Sequence, residues 1–139
     1  MKDEIPEFCT MFTGIIEAKG LIKAISQQGT NRTFSIGSPL ADQFTVDQSV
    51  SHNGVCLTVE SVSGNEYQVT AIQETLSKTT LENWSKGLEI NLEQCLQWNG
   101  RVDGHVVQGH VDTVGTCTRK KTLEGSWEYR IQFPEKFAP

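Results

Sequence analysis

Laying the chain over itself with an offset of 95 residues (109 − 14 = 95) superposes its end on its beginning. Gly109 falls on Gly14, Val111 on Ile16, Asp112 on Glu17 and Gly115 on Gly20. Farther along, Tyr129 falls on Phe34, Ile131 on Ile36 and Pro134 on Pro39, without a gap. Glycine, acidic, aromatic and proline positions all agree at one offset. The chain therefore holds one supersecondary module and the beginning of a second copy. That copy stops where the first has reached only Phe44, before the parts that follow in the first module.

Inside the module nearly everything reads as short strands with turn signals between them. "FTGIIEAKGLIKAIS" (12–26) is rich in β-branched residues and is expected to be split at Gly20, and "RTFSIGSP" (32–39) alternates Phe34 and Ile36 before stopping at Pro39. In "SVSHNGVCLTVESV" (49–62) the pair Asn53-Gly54 suits a type I′ hairpin turn, and Val55, Leu57 and Val59 alternate beyond it. "SGNE" (63–66) is a second turn, "YQVTAI" (67–72) a further strand and "GLEINLEQ" (87–94) a closing one. Between them Leu76, Thr80, Leu81 and Trp84 share helical spacing, which predicts one short helix over 73–84. Six short strands and one helix predict a small antiparallel barrel.

Charge narrows the function classes. With 12 Lys and Arg against 17 Asp and Glu, the net charge is −5, which argues against nucleic-acid binding. The densest basic run, Arg119-Lys120-Lys121, reads as a solvated turn. No apolar stretch is long enough to span a membrane, and the acidic opening "MKDEIPEFCT" is no signal peptide. Cys9, Cys56, Cys95 and Cys117 are scattered with no CxxC pair, so they read as reduced thiols in a cytoplasmic protein.

The stretch "GHVVQGHVD" (104–112) draws attention, because the chain has only three histidines. His105 and His110 are five apart, which fits neither a helical metal pair nor one strand face. Gly100, Gly104, Gly109 and Gly115 lack the strand–turn–helix setting of a phosphate loop, and bends or close backbone approaches explain them better. His110 falls opposite Ile15 in the repeat, so strand pattern alone does not require an imidazole there. Cys56 shares a strand face with Thr58, with Ser49 and His52 across the turn; it reads either as a nucleophile or as a buried thiol. His52 reads as a capping or structural histidine. Gln73, Glu74 and Thr75 form a helix start that either meets a polar ligand or simply caps the helix.

Taken together, "MFTGIIEAKG" (11–20), "SVSHNGVCLTV" (49–59), "QETLSKTTL" (73–81) and "GHVVQGHVDTVG" (104–115) resemble the signature stretches of riboflavin synthase, a transferase family, in register over residues 11 to 139. The resemblance implies an all-β fold: a six-stranded antiparallel Greek-key barrel followed by the truncated start of a second one. It divides the chain into an N-terminal extension (1–10), a first lumazine-binding barrel (11–97) and an incomplete second barrel (98–139). It implies dismutation of two 6,7-dimethyl-8-ribityllumazine molecules, a four-carbon unit passing from one to the other. The products are riboflavin and 5-amino-6-ribitylamino-uracil, with no metal or organic cofactor. Family members form homotrimers, whose sites lie between barrels of neighbouring subunits. Carried over, the catalytic positions are His110 as proton-transfer base, with Cys56 and Ser49 facing the substrate. The binding positions are Gly14, Ile15 and Ile16; Cys56, Leu57 and Thr58; Thr70, Ala71, Ile72, Gln73, Glu74 and Thr75; and Gly109, His110 and Val111. The shortened second barrel leads to the expectation of one retained ligand site with weak or absent turnover. The ten residues before Met11 extend past the family's usual start, which leaves Met11 as an alternative first residue. A non-catalytic lumazine or flavin carrier of the same fold is the rival reading; retention of His110, Cys56 and Ser49 favours the enzyme.

Overall fold

The fold was analysed in a computed structural model, which describes residues 11–97 and 100–138. The extension over 1–10, with Cys9, lies outside the described residues. The strands are β1 (Met11–Phe12), β2 (Ala18–Gln28), β3 (Asn31–Gly37), β4 (Ser49–His52), β5 (Val55–Ser63), β6 (Glu66–Ala71), β7 (Glu89–Gln94), β8 (Val107–Gln108), β9 (Thr116–Leu123) and β10 (Ser126–Gln132), with one helix, α1 (Gln73–Lys78). Strands β2 to β7 close into a barrel in the order β2-β3-β6-β5-β4-β7. β4, β5 and β6 follow one another as neighbours and β7 returns beside β4, which is a Greek key. Every neighbouring pair is antiparallel.

Alternation decides what fills the barrel. Phe34 and Ile36 from β3, Val55, Leu57 and Val59 from β5, Tyr67 and Val69 from β6, and Ile90 and Leu92 from β7 all point inward and are buried. Asn53 and Gly54 both take positive φ (50° and 88°), as a type I′ turn requires, and join β4 to β5. The segment expected to break at Gly20 does not: β2 runs unbroken through that residue. The absent side chain instead makes room, since a Cβ there would lie 2.8 Å from Ile36 Cγ2 and 3.0 Å from Leu92 Cδ1. The interruption comes earlier, between Phe12 and Ala18.

The helix is also shorter than its periodicity predicts. α1 ends at Lys78 and a 3-10 turn covers Thr80–Asn83. Thr79 separates them with extended backbone (φ −130°, ψ 177°). Its hydroxyl donates to the Thr75 carbonyl at 2.7 Å and accepts the Leu81 N–H at 3.3 Å, so a side chain replaces the helical backbone bonds at this point.

The repeat is written in the coordinates. The β9–β10 hairpin pairs Leu123 with Ser126, as β2–β3 pairs Gln28 with Asn31, and both hairpins bulge at the equivalent residues Lys23 and Thr118 (118 − 95 = 23). Arg119-Lys120-Lys121 therefore lies in a strand and not in the expected turn, with its side chains exposed. β1 and β8 pair across the two modules, and Phe12 faces Val107, its own equivalent (107 − 12 = 95). The two modules thus begin around a local twofold axis. Among the described residues no helix is long and apolar enough to cross a membrane.

Candidate functional site

The site begins on the flank of β5 where β6 ceases to follow it. β6 pairs with β5 from Ser63 back to Val59, then turns into α1 after Ala71. Cys56 pairs with Ser51 of β4 on one side. On the other, past the end of β6, its N–H donates to the Gly109 carbonyl at 2.9 Å. Glycine is required at 109: a Cβ would sit 2.5 Å from Cys56 Cβ and 2.7 Å from its backbone nitrogen. Val111, two residues on, packs against the barrel core. The opening stretch of the second module is thereby bound to the first barrel.

Between this stretch, β5 and α1 lies a cleft of about 310 Å³, lined by Val55, Cys56, Glu74, Thr75, Lys78, Thr79, Gly109, His110, Val111 and Asp112. That volume is at the lower end of the range for small-molecule sites. The lining joins apolar walls (Val55, Val111) to a thiol, hydroxyls, an imidazole and charged groups. Such a mixture suits a flat heterocycle with polar edges. Lys78 Nζ donates to Glu74 Oε1 at 2.6 Å, one helical turn away. This hydrogen bond and the Lys78 charge hold the Glu74 carboxyl below its ordinary pKa. Glu74, by the same bond, raises the Lys78 ammonium, with a smaller pull from Asp112.

Of the residues the sequence nominates, Cys56, Glu74, Thr75, Gly109, His110 and Val111 meet in this cleft. Leu57 and Ala71 are buried in the core, and Thr58 is exposed on β5 opposite Ser49. Ser49 itself is buried two residues along β4 from the Cys56 partner and does not line the cleft. Thr70 is tied to other side chains: its hydroxyl lies 2.8 Å from that of Thr33 and donates to Glu60 at 2.8 Å. Ile72 and Gln73 are exposed at the start of α1. Gly14, Ile15 and Ile16 lie elsewhere, for a reason that the local twofold supplies. The chain leaving β8 turns onto β5, whereas the chain leaving β1 is held on β7. There the buried Glu93 accepts from the Thr13 N–H and hydroxyl, each at 2.6 Å, and from the Gly14 N–H at 3.0 Å. Ile15 lines a second cleft of about 320 Å³ with Thr13, Glu93 and Arg101.

His52 is fully buried, its Nδ1 2.9 Å from the Val50 carbonyl and its Nε2 2.9 Å from the Tyr67 hydroxyl. It braces the barrel, in keeping with the structural reading of it. Among the described residues no three of His, Cys, Asp and Glu gather as metal ligands. Sequence reasoning missed three residues. Lys78 was findable as the i+4 partner of Glu74, and Asp112 as the repeat equivalent of Glu17. Glu93 carried no signal, because it follows the inward Leu92 and alternation points it to solvent.

Comparison with known proteins adds to this geometry. A family model described as the lumazine binding domain matches residues 13–95. A riboflavin synthase from Bacillus amyloliquefaciens is 41% identical over 123 residues, which make up 88% of this chain and 57% of the relative. The chain spans between 57% and 59% of the length of the three curated relatives that head the comparison. LumP complexed with flavin mononucleotide superposes with a TM-score of 0.74 at 25% identity, over 91% of this chain and 68% of that one. LumP complexed with 6,7-dimethyl-8-(1'-D-ribityl) lumazine gives 0.79 at 24% identity, over 89% and 69%, a likeness of fold.

Proposed function

Because the chain belongs to the lumazine binding domain family, we propose that the cleft walled by Cys56, Thr75, Gly109 and His110 binds the ring system of 6,7-dimethyl-8-ribityllumazine and of riboflavin. We further propose that this binding serves riboflavin synthase chemistry. The observation that carries the reading is the bond between Cys56 N–H and the Gly109 carbonyl. It brings the thiol of one module and the imidazole of the next to one cavity.

In this reading the backbone amides and the Thr75 hydroxyl meet the polar ring edge, while Val55 and Val111 cover its faces. The 7-methyl group of a lumazine is acidic, because its carbanion delocalises into the pteridine, so a modest base suffices. His110 takes that proton. The carbanion attacks a second lumazine, and a four-carbon unit passes between the two rings. Two identical substrates supply every atom of both products, so no oxidant or cofactor is needed. Cys56 assists addition at C7. Ser49 is assigned no step, since it does not line the cleft. Holding the two rings face to face converts an encounter into a positioned reaction, on the order of several kcal/mol. Each such cleft accepts one ring, so this chain alone is expected to bind ligand and to turn over slowly or not at all. A non-catalytic carrier is the second reading, favoured by the likeness to LumP.

A titration with riboflavin, followed by its fluorescence, tests the site. The expected result is saturable quenching at micromolar ligand that Gly109→Ala weakens by at least about tenfold, since the new Cβ forces Gly109 off Cys56. No saturable change would refute the assignment. Supplying lumazine instead separates the two readings. Slow riboflavin formation that His110→Ala abolishes supports the enzyme, whereas binding without any turnover, even beside a catalytically inactivated full-length relative that supplies the second site, supports the carrier.

A further inference from the structure

The cleft carries a charged rim for which recognition of a neutral ring has no use. Glu74 and Lys78 stand one turn apart on α1 with a 2.6 Å ion pair, and Asp112 lines the same cleft from the opposite wall. Two carboxylates against one ammonium leave the rim one negative charge in excess (1 − 2 = −1), on a chain of net charge −5. Lys78 is the only lysine or arginine lining the cleft among the described residues.

We propose that Asp112, acting with the Glu74–Lys78 pair, makes this cleft select neutral ribityl ligands over their 5′-phosphate esters. The proposal rests on the reading of the cleft as a lumazine and flavin site, and adds to it the charge of the ligand. A phosphate monoester brings a charge of about −1.5 to −2 at neutral pH. In this cleft it shares the lining with the Asp112 and Glu74 carboxylates. The one cation is already engaged by Glu74, and the Asp112 charge also acts on it. A phosphate bound there shares that ammonium with Glu74 and stands beside its carboxylate. A ribityl chain behaves in the opposite way. Its hydroxyls donate, and the carboxylates keep acceptor sites for them. The same rim therefore attracts the polyol and repels the ester. The groups are solvent-exposed, so screening keeps the preference modest: about tenfold at low ionic strength, and less as salt is added.

The test measures dissociation constants for riboflavin and for flavin mononucleotide side by side, in low and in raised salt. It uses the unmodified chain, Asp112→Asn and Asp112→Lys. The unmodified chain is expected to bind the phosphate ester about tenfold more weakly, with the ratio shrinking as salt rises. The ratio should fall to about threefold in Asp112→Asn and to one or below in Asp112→Lys. Equal affinities in the unmodified chain, or a ratio indifferent to salt, would overturn the proposal while leaving the site reading intact. A ratio unmoved by Asp112→Lys would do the same. If the unmodified chain binds neither ligand, the site reading itself fails and the selectivity falls with it. Should a variant not fold, the salt series on the unmodified chain still decides.

Discussion

His52 shows how one buried residue couples stability to acidity. The Val50 carbonyl can only accept, so Nδ1 carries the proton and Nε2 accepts from the Tyr67 hydroxyl. Burial holds the imidazole neutral and lowers its pKa to about 4, against small opposing contributions from backbone hydrogen bonds. The same burial pushes the Tyr67 phenol up. In the unfolded chain His52 takes its proton near pH 6.5. Between those two values the unfolded state binds more protons than the folded one. The stabilisation is therefore complete above about pH 6.5 and is lost as pH falls through 4, amounting to roughly 3 kcal/mol. Urea unfolding across that window should show the loss, and His52→Gln should flatten the pH dependence. An unmodified chain equally stable at both ends of the window would contradict this. Gly109 and His110 were legible in the sequence, the first through its match to Gly14 and the second through its mismatch with Ile15. Glu93 was not, because what buries it is the distant Thr13–Gly14 turn, a tertiary event that local alternation does not report.

Strands were readable because their determinants are local. Asn53-Gly54 specifies its turn by the positive φ of both residues, and inward alternation in β3, β5 and β7 follows from period two. The helix end and Gly20 were misread for different reasons, one local and one tertiary. Helical spacing continues past Lys78, but the Thr79 hydroxyl ends the helix by bonding to Thr75. Gly20 looked like a breaker, yet it sits within β2, near its start and opposite Ile90, where three neighbouring side chains fill the space of its missing Cβ. Gly20→Ala should consequently cost about 1–3 kcal/mol through overpacking. Denaturant titration would register this as a lowered midpoint with an unchanged slope. An unaltered midpoint would mean that the barrel interior is looser than the 2.8 Å approach to Ile36 implies.

At the scale of the molecule, one repeat produces two surfaces of opposite fate. Phe34 and Ile36 are 0% exposed inside the barrel, while their equivalents Tyr129 and Ile131 are 54% and 58% exposed. Trp127, Tyr129, Ile131 and Phe133 alternate along β10 and its continuation, so they make one apolar face on a hairpin that has no further strand beside it among the described residues. Such a face, with open strand edges, favours self-association. The chain is expected to show concentration-dependent association in sedimentation that Trp127→Lys with Ile131→Lys reduces. The unfolding free energy of the barrel should change by less than about 0.5 kcal/mol. A chain that stays monomeric at every concentration, or a barrel weakened by these substitutions, would contradict the reading of the hairpin as a separate surface.

That a flat heterocycle occupies the cleft between β5, α1 and the Gly109–Val111 stretch is tested most directly by amide chemical-shift mapping during a riboflavin titration of the labelled chain. The amides of Cys56, Thr75, Gly109 and His110 are expected to shift together and saturate together, with those of β9 and β10 unmoved. Saturating shifts confined to Thr13, Ile15 and Cys95 around the second cleft, or no saturating shifts at all, would contradict it.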